Sequence, residues 1–394
     1  MKILCIVQRF FPAIGGAEQV AEQLMDFLSQ KHDVTVYTTN AIELNSFWDP
    51  SAKTTGNIQN FHDKNYKVKR YQILQPAAAT DNSDPFSILS PGPFCPGMWN
   101  DLLNMKDNFD LIIATAFPYD HIIPALIASK KQKIPIIMIP HLHLEFPELY
   151  FTGLRIMLLQ EADAIVVNTE TEKNSLLKYD IVESKISIIP AGIPIHKAEP
   201  ADFRNNLNIS KDSLLVLFAG TKSHAKGTIN LIESMKKFWD ASIDHKLVLI
   251  GPSMNDFNEY LKKQDQKYLK HIHDLGLVSD TEKWNAFASC DIFALPSKSE
   301  SFGISYLDAW LNKKPVIGCS IDAVQNLIDD NMNGLLVGFG NIGELSNALD
   351  KLQDPKLRDK LGKNGFEKLL ARYDSQKTCK QFEELCNSFS ELRG

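Results

Sequence analysis

The sequence predicts an α/β protein built from two doubly wound parallel sheets in series. Short, largely apolar runs such as Lys2-Ile3-Leu4-Cys5-Ile6-Val7 recur along it, and such runs suit strands buried on both faces. Amphipathic stretches of helical period separate them. A Pro/Gly segment, Ile189-Pro190-Ala191-Gly192-Ile193-Pro194, divides the series near its middle. At 394 residues the chain exceeds what one hydrophobic core usually serves, which favours two domains.

Lys2–Val7 is the first strand, and Gly15-Gly16 leads into a helix with Val20, Leu24, Phe27 and Leu28 on one face. Asp33–Thr38 completes a βαβ unit. Residues 41–105 are less regular, and Ser90-Pro91-Gly92-Pro93 through Cys95-Pro96-Gly97 reads as a long loop of the kind that forms lids. Alternation resumes with a strand at Asp110–Thr115, a helix near His121–Lys131 and a strand at Pro135–Ile139. A helix ending near Glu161 and a strand at Ala164–Asn168 follow. The apolar run Phe146–Leu159 contains Glu148 and Arg155, which fits a packed helix rather than membrane insertion.

Strands of the second half are expected at Leu214–Ala219, Lys246–Ile250, Gly276-Leu277-Val278, Asp291–Leu295, Pro315–Gly318 and Leu335–Val337. Ser375–Leu392 reads as a polar-faced helix. The expected division is 1–190, 191–373 and 374–394, the last a helix packing back toward the first domain. Two Rossmann-like halves would face each other across a cleft.

The net charge of −6 argues against a nucleic-acid binder, which needs a broad basic surface. Lys64, Lys67, Lys69 and Arg70, and Lys130, Lys131 and Lys133, read as solvated clusters that allow at most a weak contact with anionic lipid. Six scattered cysteines without CxxC spacing suggest neither a zinc site nor a disulfide framework. With no apolar run of membrane-spanning length and no signal peptide, a cytoplasmic protein is expected, with membrane association limited to the inner face.

The most informative stretch is Pro296-Ser297-Lys298-Ser299-Glu300-Ser301-Phe302-Gly303-Ile304, with Asp308 beyond it. A carboxylate in a turn precedes a helix starting near Phe302, and Asp308 follows Ile304 by four positions on one helix face. Amides at a helix N-terminus attract an anion, and carboxylates accept bonds from hydroxyls. A sugar nucleotide carries both groups.

Three further pieces join it: Phe11-Pro12-Ala13-Ile14-Gly15-Gly16-Ala17-Glu18, Pro140-His141-Leu142-His143, and Phe218-Ala219-Gly220-Thr221-Lys222-Ser223-His224-Ala225-Lys226-Gly227. In order and spacing the four resemble the retaining GT-B-fold glycosyltransferases of family 4 (glycosyl transferases group 1), from Met1 to roughly Tyr373. The resemblance implies sugar transfer from a UDP-, GDP- or ADP-linked donor to a saccharide, lipid-linked or small-molecule acceptor, with retained configuration and no cofactor or metal. It implies that Glu300 contacts donor-sugar hydroxyls, that amides at Phe302, Gly303 and Ile304 reach the sugar or diphosphate, and that Asp308 binds the ribose. Lys226 would neutralise the diphosphate, the Gly15-Gly16 turn would bring its amide to the phosphate, and His141 would stand at the donor sugar, with His143 the competing choice. Thr221 replaces the family's arginine, which weakens phosphate binding unless Lys222 turns inward. Asp308 and Ala191 also depart from the usual Glu and Asn. Those departures motivate a rival reading, a non-catalytic subunit that binds a partner transferase; a GT-B nucleotide-sugar epimerase or phosphorylase is a further one. Taken singly, Lys226 reads as a surface lysine, Glu300 as an exposed acid at a helix start, and Asp308 as a surface aspartate.

Overall fold

The computed structural model describes residues 1–13, 15–47, 49, 51–55, 64–74, 92–196 and 203–391. They form two compact units, Met1–Gly192 with the segment from Ser375, and Ile193–Asp374.

The first unit holds seven parallel strands: β1 (Lys2–Val7), β2 (Asp33–Thr39), β3 (Lys67–Tyr71), β4 (Leu111–Thr115), β5 (Ile136–Ile139), β6 (Ala164–Val167) and β7 (Ile186–Ile188). Their order is β3-β2-β1-β4-β5-β6-β7. The apolar runs have a direct cause: Leu4 and Ile6 enter the core on one face, while Ile3, Cys5 and Val7 enter the core on the other. The first core is completed by Met98, Leu102 and Leu159, the second by Leu24, Leu28, Phe382 and Cys386. The helix Ser375–Glu391 thus packs on the first unit, with Lys31 Nζ 2.9 Å from Glu383 Oε2.

The second unit repeats the plan with β8 (Leu215–Ala219), β9 (Lys246–Ile250), β10 (Ile272–Gly276), β11 (Ile292–Leu295), β12 (Val316–Cys319) and β13 (Leu335–Val337), all parallel. Their order is β10-β9-β8-β11-β12-β13. Among the described residues no helix is long and apolar enough to cross a membrane.

The structure corrects several expectations. The basic cluster at Lys67, Lys69 and Arg70 is edge strand β3, with Lys67 and Lys69 exposed as a solvated cluster would be; Lys69 meets Asp101, and Arg70 donates to the Phe11 carbonyl. Lys64 just before it pairs with Glu22 and Asp26. An edge strand tolerates charge, so it lacks the apolar signature of its neighbours. The expected loop through Gly97 gives way to helix Pro96–Leu103, started by a proline in its first turn; Ser90 and Pro91 lie outside the described residues, as do Ile14 and 392–394. Phe146–Leu159 forms two short helices, Pro147–Tyr150 and Gly153–Gln160. The strand expected at Gly276-Leu277-Val278 ends at Gly276, whose φ of 66° breaks the extended path.

Candidate active site

In an open sheet of this order, ligands bind beyond the carboxyl ends of the two strands where the winding reverses. In the second unit those strands are β8 and β11, hydrogen-bonded neighbours. Loop 220–227 follows β8 and loop 296–303 follows β11, so the pattern of winding places both there. The loops are tied together. The Lys298 amide donates to the Ala225 carbonyl at 2.8 Å. Lys226 Nζ donates to the Ser299 carbonyl at 3.0 Å and to Glu300 Oε1 at 2.9 Å, and Ser297 Oγ donates to the same oxygen at 2.7 Å. Gly227 caps helix Thr228–Asp240 with φ 76°, and a Cβ there would lie 2.1 Å from the Pro296 carbonyl oxygen. Only glycine lets the loops approach this closely.

Gly303 caps helix Ile304–Leu311 with φ 96°, which is why the helix starts two residues after Phe302. Phe302 is buried against Tyr373, and the Tyr306 hydroxyl donates to the Leu295 carbonyl at 2.5 Å, locking the helix to the end of β11. The first two amides of the helix, at Ile304 and Ser305, lack intrahelical partners, while the Tyr306 amide donates to the Gly303 carbonyl at 3.0 Å. Lys226, Glu300 and these amides therefore gather a cation, a carboxylate and N–H donors on adjoining loops. Glu300 is largely shielded rather than exposed, its side chain 13% accessible.

Asp308 is no surface acid. It is 2% exposed, and Lys283 Nζ on helix Asp280–Ser289 lies 3.0 Å from Oδ2. Burial pushes its carboxyl above the usual range, against the opposing pull of Lys283. Thr221 is half-buried beside Lys222, which does turn inward, but onto Asp274, with its ammonium 5.7 Å from the Phe257 ring centre. Its charge is met inside the unit by Asp274. Sequence reasoning missed Ser297 and Lys283. Ser297 had a local signal, three positions before Glu300, whereas Lys283 reaches Asp308 only through helix packing.

In the first unit the reversal lies between β1 and β4. Gly15 precedes helix Gly16–Leu28, and a Cβ on it would lie 2.1 Å from Glu18 Oε2. Glu18 is buried and held by Arg9 Nη2 at 2.8 Å and Gln8 Nε2 at 3.3 Å. His141 follows β5 with φ 49°, and its Nε2 is 3.2 Å from Thr115 Oγ1. Burial, with His143 nearby, lowers the imidazole to about 4, leaving it neutral at neutral pH. His143 lies against Tyr150, ring centres 5.9 Å apart.

Two family models match adjoining stretches: Glycosyltransferase Family 4 over residues 14–197 and Glycosyl transferases group 1 over residues 200–368. The chain belongs to the GT-B glycosyltransferases. A solved structure of HepE from Anabaena in complex with UDP and glucose is similar to it at 20% identity and TM-score 0.74, covering 98% of this chain and 100% of that one. Sucrose-phosphate synthase from Thermosynechococcus elongatus matches at 21% identity and TM-score 0.76, over 99% of both chains. Among sequence relatives, an uncharacterized protein of the Klebsiella pneumoniae cps region is 25% identical over 62% of this chain and 69% of its own length. D-inositol 3-phosphate glycosyltransferase of Saccharomonospora viridis is 26% identical over 52% of this chain, and the match spans about half that relative, 51%. Within the family's two-sheet plan, Lys226 and Glu300 fall in the group 1 stretch, and the Gly15-Gly16 turn and His141 in the family 4 stretch.

Proposed function

We propose that this GT-B protein transfers a sugar from a nucleoside-diphosphate donor to an acceptor hydroxyl, with retention of anomeric configuration. The observation that carries the reading is the Lys226–Glu300 contact, 2.9 Å, between the loops after β8 and β11. Lys226 and the leading amides of helix Ile304–Leu311 answer the charge that grows on the leaving diphosphate. Glu300 accepts from donor-sugar hydroxyls, Asp308 holds the ribose diol once Lys283 yields it, and the first unit serves the acceptor and presents the Gly15-Gly16 amides and His141 to the donor. As the bond from C1 to the phosphate oxygen breaks, the acceptor oxygen bonds C1 on the same face, and its proton passes to the departing phosphate. No metal is required in this scheme. UDP-glucose is the first donor to try, since the HepE structures carry UDP, glucose and UDP-glucose. The departure at Thr221 supports a second reading, a non-catalytic subunit for a partner transferase.

Titration calorimetry with UDP-, GDP- and ADP-sugars, followed by NMR of the product's anomeric proton, tests both. One donor should bind, and Lys226→Met and Glu300→Gln should each weaken it roughly 10- to 100-fold, the worth of one hydrogen bond to a charged group. Binding by none of the donors would refute the proposal. Binding without transfer to any acceptor would favour the second reading.

A further inference from the structure

The pairing of Thr115 with His141 goes beyond holding a side chain still. We propose that Thr115 sets the tautomer of His141: its hydroxyl donates to Nε2, so the imidazole keeps its proton on Nδ1 and presents that N–H to a ligand. The consequence for catalysis rests on the reading of His141 as the residue at the donor sugar.

Thr115 ends β4 opposite Ile139 of β5. The two chains stay bonded past the strands, with the Ala116 amide donating to the Ile139 carbonyl at 3.0 Å and the Phe117 amide to the Pro140 carbonyl at 3.1 Å. That ladder delivers His141 over Thr115. The backbone of His141, at φ 49°, is in the left-handed region, which a residue of this size adopts when its surroundings impose it. Thr115 is 2% exposed, and among the described residues the sole hydrogen bond of its hydroxyl is the 3.2 Å contact with His141 Nε2. The Thr115 carbonyl is engaged separately, by His121 Nε2 at 2.8 Å.

The large majority of buried hydroxyls are hydrogen-bonded, and the acceptor within reach of this one is Nε2. Were Nε2 to carry hydrogen and donate instead, the hydroxyl proton would be left without a partner. Because burial keeps the ring neutral, one nitrogen carries the proton and the other does not, so donation from Thr115 places it on Nδ1. Nδ1 makes no hydrogen bond among the described residues. His141 is then a hydrogen-bond donor to a sugar oxygen, and Thr115 is its positioning residue.

The test is a long-range ¹H–¹⁵N spectrum of the full chain with ¹⁵N-labelled histidine, near neutral pH, with His141→Gln assigning the resonances. The wild-type chain should show the Nδ1–H pattern for His141, a result that needs no variant to fold. Thr115→Val keeps the shape without the hydroxyl and should move the signal toward the Nε2–H form, while Thr115→Ser should keep the wild-type pattern. In turnover with the donor identified above, Thr115→Val should lower kcat about tenfold with donor KM within about twofold, and Thr115→Ser should recover it. An Nε2–H signal in the wild-type chain, or an unchanged spectrum in Thr115→Val, overturns the assignment. A confirmed spectrum with full turnover in His141→Gln would instead refute the role of His141 at the sugar and leave the tautomer assignment standing.

Discussion

Gly227 and Gly340 share a φ of 76°, yet an added methyl would meet different surroundings. At Gly340 a Cβ has nothing within 4 Å, so Gly340→Ala bears only the cost of a left-handed alanine, about 1 kcal/mol. At Gly227 the Cβ would lie 2.1 Å from the Pro296 carbonyl oxygen and 2.7 Å from its carbon. The loop after β11 must then retreat by roughly 1 Å, and overpacking of that kind costs about 1–3 kcal/mol. Gly227→Ala should therefore destabilise the second unit by about 2–4 kcal/mol, against about 1 kcal/mol for Gly340→Ala. For a unit of this size that is roughly 5–15 °C in Tm against 2–4 °C. Because the retreating loop carries Glu300, Gly227→Ala should also weaken donor binding, and Gly340→Ala should not. Scanning calorimetry of both variants, with urea unfolding as a second measure, decides the matter. Equal melting temperatures for the two would refute the steric argument and, with it, the claim that glycine holds the two loops together.

Lys283→Met should destabilise the second unit by about 3 kcal/mol in urea unfolding, because it strands the buried Asp308 carboxylate, and adding Asp308→Asn should restore part of the loss. His121 is buried and held down to about 4 by burial, so the unfolded chain takes up its proton first as pH falls. The stability it supports is complete above about pH 6.5 and is lost toward pH 4, at up to about 1.4 kcal/mol per pH unit. A flatter acid limb in His121→Gln would show it. Glu172 has the opposite sign: burial raises its carboxyl to about 7 even though Oε2 accepts the Asn168 and Thr169 amides, so its contribution is greatest below about pH 4.5 and falls as pH rises through 7. Glu172→Gln should remove that decline in the same pH series.

Much of this protein was legible in its sequence because the signals are local. Eleven of the thirteen strands announce themselves as short, largely apolar runs, displaced at β10, while the three-residue β7 escaped beside the Pro/Gly segment that follows it. The glycines before the helices at Thr228 and Ile304 mark turns that need positive φ, and Glu300 stands beside one of them. β3 escaped because an edge strand may carry lysine at alternate positions, which reads as a solvated cluster. Apart from Ser297, three places before Glu300, the partners of the site residues were not legible. Lys222 was free to reach a phosphate until the packing of β10 set Asp274 beside it, and Asp308 passed for a surface acid until Lys283 arrived from another helix. Thr115 and His141 lie 26 positions apart and meet only because β4 and β5 are neighbours in register. Strand, helix and turn depend on residues a few places apart. Ion pairs, proton positions and burial depend on which elements the fold brings together, and that was settled by the tertiary structure alone.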